Sequence, residues 1–173
     1  MVRVRSISAL SLICALSMAL SGQEPAAPAK AALVEKVYVD SHGIVHVVEN
    51  GGTDRAQPKE KDQVSCSQPK ASEDKKTAGW LVDFPNCCTS YPISLQLLLY
   101  QPGKPVHHLG DGMLIADWHF LDGGKRVAFS TNTVHGDMAP HYELHDVDSG
   151  RLLSHWNGHL NAKSPNWTRG LTD

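Results

Sequence analysis

The chain has 173 residues, with 18 acidic and 16 basic side chains and a formal net charge of −2, which bounds it to one domain long enough to bury a core. Lysines and arginines are interleaved with acids, as in Lys59-Glu60-Lys61-Asp62 and Glu73-Asp74-Lys75-Lys76, so there is no basic stripe of the kind that binds nucleic acid. Beyond Leu20 no apolar run is long enough to span a bilayer as a helix.

Met1 to Ser21 reads as a secretory signal peptide. Arg3 and Arg5 precede an apolar run from Ile7 to Leu20, and Ala19-Leu20-Ser21 forms the exit. The run is shorter than the ~20 residues of a membrane anchor. Gln23 stands where a lipid-attached protein would carry cysteine. The expected location is periplasmic or secreted. Residues 22–32 form a Pro/Ala leader with no apolar pattern, so the folded domain is expected over 33–159 with a tail over 160–173.

Four cysteines are present, and Cys14 falls in the signal. Of the three others, a Cys66 bridge to Cys87 or to Cys88 would suit an oxidising compartment, with a vicinal Cys87-Cys88 ring or a free thiol as alternatives. The spacing fits no zinc motif.

Val37 to Val39 and Ile44 to Val48 alternate around Ser41-His42-Gly43, which predicts a hairpin over 35–49. Thr53 to Gln63 is polar and aperiodic, and reads as a long loop. A four-strand unit is expected over 64–110. It comprises Val64 to Ser67, Thr77 to Phe84, Ile93 to Tyr100 bracketed by Pro92 and Pro102, and Val106 to Leu109. A second unit, over 113–157, repeats that order. Its strands are Met113 to Phe120, with Leu114, Ala116, Trp118 and Phe120 on one face, then Arg126 to Ser130, His141 to Val147 and Leu152 to Trp156. Lys76 and Trp80 map onto Lys125 and Phe129, and Leu97 and Gly103 onto Leu144 and Gly150. Such a period of roughly 40–50 residues with four strands per unit is the signature of propeller blades.

Phe120-Leu121-Asp122-Gly123-Gly124-Lys125-Arg126-Val127-Ala128-Phe129, followed by Asp146-Val147-Asp148-Ser149-Gly150-Arg151, resembles the WD-repeat-like β-propeller repeat of exported bacterial proteins, including periplasmic propellers of the Tol-system type. The earlier unit keeps Ser72 and Asp74 of that pattern but lacks its Pro and Gly. The resemblance implies an all-β fold of antiparallel, four-stranded, blade-like sheets. With about two and a half blades it implies an incomplete propeller, whose strand edges would have to be protected or paired, in a homo-oligomer among other ways.

No nucleophile motif, phosphate loop or cofactor signature appears. His141 and His145 are spaced by four, but on a strand that spacing is ~13 Å, too far for one ion. The candidate metal ligands are Asp117 and His119, on one face of a strand, with His135 and Asp137 in the following loop. The leading functional expectation is an exported, non-enzymatic binding or scaffold protein whose partner is a protein or envelope component. The alternative is a small metal-assisted hydrolase using that Asp/His cluster.

Overall fold

A computed structural model of the chain describes residues 31–87, 90–136 and 138–172. The expected signal peptide, nearly all of the Pro/Ala leader, Cys88 and Asp137 lie outside them. The described residues form an all-β protein of three antiparallel sheets, each a simple meander. The first holds β1 (Val34–Val39), β2 (Val45–Glu49) and β3 (Thr53–Ala56); the second β4 (Ser65–Ala71), β5 (Ala78–Phe84), β6 (Ile93–Tyr100) and β7 (His107–Leu109); the third β8 (Leu114–Leu121), β9 (Arg126–Asn132), β10 (His141–Asp146) and β11 (Leu152–Asn157).

The sheets stack face to face in chain order. Val34, Val45 and Val47 of the first sheet pack on Cys66, Ala78, Trp80, Val82 and Leu98 of the second. The other face of the second sheet, with Leu81, Leu97, Leu99 and Leu109, packs on Ile115, Trp118, Val127 and Phe129 of the third. The two units are thus equivalent in facing as well as order. Trp80 and Phe129 each point at the preceding sheet, and Leu97 and Leu144 each point the other way, at the next layer of the stack. For the third sheet that next layer is the tail, where Leu171, Trp167 and Leu160 lie with Tyr142, Leu144, Ala128 and Trp156. These are blade-like sheets in an open stack.

Three local features depart from the sequence expectation. Residues 53–56 are a strand and not part of a loop; all four are exposed, so they show no apolar alternation. In β8 a bulge between Ile115 and Asp117 shifts the phase. Ile115 therefore joins Trp118 in the core, where simple alternation had placed Leu114 and Ala116. In β4 a bulge between Ser67 and Lys70, with Gln68 at φ 48° and then Pro69, explains why this strand carries so little pattern.

The turn after β8 is packed as tightly as a core position. A Cβ at Gly124 would fall 2.5 Å from the Ser72 Cβ and 2.8 Å from an Asp74 carboxylate oxygen, at a φ of 104° that favours glycine. The turns of the two units therefore touch, and the Asp74 N–H donates to the Gly123 carbonyl at 3.1 Å. At the opposite end of the stack, the outward face of the first sheet is polar. The Tyr38 hydroxyl donates to Asp54 at 2.6 Å, His46 meets the other Asp54 oxygen at 3.0 Å and stacks on the Tyr38 ring at 4.9 Å, and Lys36 lies 4.8 Å from that ring. The Tyr38 bond holds the Asp54 carboxyl below its usual range.

Candidate functional site

A stack that does not close into a ring leaves two edge strands per sheet, each with a row of unpaired backbone groups. Most are guarded. β1 carries Glu35 and Lys36 and gives its first N–H to the Lys75 carbonyl at 2.7 Å. β3 is four residues long with Asp54 and Arg55, and β7 is three residues long. β4 has its bulge, Pro69 and Lys70. β8 has a bulge, and the Lys70 ammonium bonds its Trp118 carbonyl from the neighbouring sheet.

β11 differs. Its sequence, Leu152-Leu153-Ser154-His155-Trp156-Asn157, contains no proline, lysine, arginine or acid. Leu152 and Leu153 are 44% and 40% exposed. Its one irregularity is the shift beside Leu144 and His145, which leaves Ser154–Asn157 in regular register with β10. Among the described residues, no backbone hydrogen bond outside the β10 ladder reaches Leu152–Asn157.

Next to this edge lies a polar row. His141, Glu143 and His145 alternate along β10 and so share one face, with Asn157 opposite His141 and His155 opposite Glu143. Glu143 accepts from His141 Nε2 at 3.1 Å and from His145 Nε2 at 2.6 Å, one on each carboxylate oxygen. The other ring nitrogen of His145 donates to the Gly150 carbonyl at 2.9 Å. Both of its nitrogens therefore face acceptors that carry no hydrogen, so the ring is an imidazolium when both bonds are made. His141 Nδ1 meets the Asn157 side chain, and the rings of His141 and His155 are 5.9 Å apart. Behind the row, Phe129 stacks on His145 at 5.4 Å.

The His145 bond is the main cause that holds the Glu143 carboxyl below its usual value. Burial pushes His145 down, but its bonds to Glu143 and Gly150 and the Glu143 charge outweigh this and leave it raised. The raised histidine stabilises the fold fully below its ordinary value of about 6.5, and that contribution is lost as pH rises through its higher folded value. The lowered carboxylate stabilises above its ordinary value of about 4.3 and loses this as pH falls through its folded value. The pair is therefore complete between roughly pH 4.3 and 6.5. Thermal melts should show this pair's contribution declining on both sides of that window. In Glu143→Gln the decline toward alkaline pH should reverse, because burial of His145 then dominates; an unchanged alkaline limb would show that the pair is not coupled to folding.

Of the expected metal ligands, Asp117 and His119 do share a face of β8, opposite Trp118. A cation already stands there: Lys70 Nζ is 3.9 Å from Asp117 and 4.6 Å from the Trp118 ring, which opposes a metal ion at the same carboxylate. Burial holds His119 below its usual value, and its Cε1 lies 3.8 Å from where a Cβ would stand on Gly170 of the tail. His135 is exposed on its loop, and Asp137 lies outside the described residues. Among the described residues no three His, Cys, Asp or Glu side chains are grouped to hold an ion.

No Cys66–Cys87 bridge is present among the described residues, and Cys88, the other expected partner, lies outside them. Cys66 is a free thiol, 8% exposed, packed toward the first sheet with Val82 opposite it on β5. From Val82 the chain runs on to Cys87, an exposed residue beyond the end of β5. The Gln63 amide donates to the Cys66 sulfur at 3.2 Å, and burial pushes the thiol up to about 12. Maleimide should therefore leave Cys66 unlabelled in the native protein and label it in urea; native labelling at the Cys87 rate would contradict this packing.

Sequence reading found His141 and His145 but passed over Glu143, His155 and Asn157. The available signal was the strand alternation itself, which places an acid between the two histidines on the same face.

No family model matches the sequence, and no curated protein matches it. Among solved structures the chain is similar to the Dos1 propeller, with a TM-score of 0.41 and 9% identity, over 72% of this chain and 37% of that one. The chain thus spans little more than a third of that structure's length. The blade-like description rests on the meander order of the sheets and the matched facing of the two units.

Proposed function

We propose that the chain is an exported, non-enzymatic binding protein that holds an extended segment of a protein partner in the cell envelope by adding it as a strand beside β11. The observation that carries this reading is the contrast among edges: β11 alone, among the described residues, carries no charged residue or proline and is uncovered by another element's backbone, with Ser154–Asn157 in regular register. Strand addition gains affinity from main-chain hydrogen bonds and specificity from alternate side chains. The stacked sheets behind β11 hold it rigid, so little ordering is needed on the protein's side. Export is supported by the charged, apolar and small-residue segments of Met1 to Ser21, and an envelope location by the likeness of Phe120 to Phe129 to exported, Tol-type WD-repeat-like blades.

Site-specific photo-cross-linking tests the reading. A photoreactive residue in place of Leu153 should give a discrete adduct with an envelope protein, and one in place of Thr53 on the charged edge β3 should not. The adduct should disappear when Leu152 is also changed to lysine, a residue that guards natural edges. Equal adducts from both edges, or none from Leu153, would remove the basis for strand addition at β11.

A further inference from the structure

We propose that the segment captured beside β11 carries an acidic side chain that lands against His155 and His141. This rests on the strand-addition reading and specifies the chemistry of its partner. A strand added outside β11 places alternate side chains beside those of β11, roughly 5 Å away on the same face. On the face that bears His155, the groups behind that position are Glu143, His141 and His145 on β10, and Asn157 on β11.

Charge is unevenly distributed along this row. Glu143 is the single carboxylate, and both of its oxygens are occupied by imidazole nitrogens at 3.1 and 2.6 Å. His145, bonded on both nitrogens, neutralises it. Farther out, His155 is exposed, its ring lies tilted 5.9 Å from that of His141, and it has no ion pair among the described residues. Among the described residues the neighbouring elements supply no acid to it. Opposite this face of β10, β9 offers Val127, Phe129 and Thr131. The β10–β11 turn directs Asp148 to Lys104 at 3.0 Å, with His107 bonded to the Asp148 carbonyl at 2.9 Å. Asp146 faces the other side of β10 and bonds Ser149 at 2.6 Å, and Arg151 precedes β11 at the turn. A carboxylate on the incoming strand is the acceptor this row lacks, since both oxygens of its one carboxylate are already taken.

The experiment is a selection of displayed random ten-residue peptides on the full chain, with Leu153→Lys and His155→Gln proteins as comparisons. The expected result is a set of extended peptides that share Asp or Glu at one position. Their binding should be lost with Leu153→Lys and weakened about tenfold by His155→Gln. Peptides that need Leu153 but show no acidic preference, or bind His155→Gln equally well, would overturn this proposal and leave strand addition standing. If no selected peptide depends on Leu153, strand addition itself fails, and the acidic partner with it.

Discussion

Replacing Trp118 by alanine is expected to cost about 4 kcal/mol, in the range for removing a buried aromatic, and to loosen the contact between the second and third sheets. Trp118 is 0% exposed and lies in the cluster that joins those sheets. Its knob fits a hole made by an absent side chain: a Cβ on Gly79 of β5 would fall 2.7 Å from the indole Cη2 and 3.2 Å from a Leu99 methyl. Gly79→Ala should therefore also destabilise, by overpacking, at about 1–3 kcal/mol. Trp118→Phe removes a ring where Gly79→Ala adds a methyl, and it removes an indole N–H that is buried without a partner among the described residues. The double variant Gly79→Ala/Trp118→Phe should be more stable than the two single changes summed, by about 1–2 kcal/mol. Urea midpoints of the four proteins measure this directly. Simple additivity would mean that the two positions do not touch and that the sheets are not stacked as described.

Gly79 also marks the limit of what the sequence reveals. The strands that pack on both faces, β5 with Ala78-Gly79-Trp80-Leu81-Val82 and β9 with Val127-Ala128-Phe129-Ser130, are legible because nearly every position is buried. Their equivalence is legible too, since both strands hold an aromatic that points at the preceding sheet. What is illegible depends on a single extra residue or on sheet order. The bulge at Ala116 moves Ile115 into the core without any sign in the alternation. β3 buries nothing and so shows no period. The exposure of β11 comes from its place at the end of a sheet, and a sequence does not state that no strand comes next to it. Backbone spacing sets His141 and His145 about two residues either side of Glu143, and in the fold both rings turn toward that one carboxylate and share it.

Removing residues 162–173 is expected to destabilise the domain by about 2–5 kcal/mol, from the burial of Leu171 at about 1.5–3 kcal/mol and the partial burial of Trp167 at somewhat less, and to make it associate. In the intact chain the tail sits where a further blade would pack. Tyr142 and Ala128 are 0% exposed and Leu144 is 3% exposed beneath it. Without the tail that apolar face is open, and a contiguous exposed apolar face drives self-association. The other end of the stack offers no such face, since Lys36, Tyr38, His46 and Asp54 make it polar. Light scattering on a sizing column should therefore give a monomer for the protein from Gln23 onward and dimers or larger species for the truncated form. A stable dimer of the untruncated protein would point elsewhere, to β11 pairing with its own copy, and Leu153→Lys should then split it. A monomeric, fully stable truncated protein would mean that the tail merely rests on the third sheet and that the blade-like stack ends there without a cap.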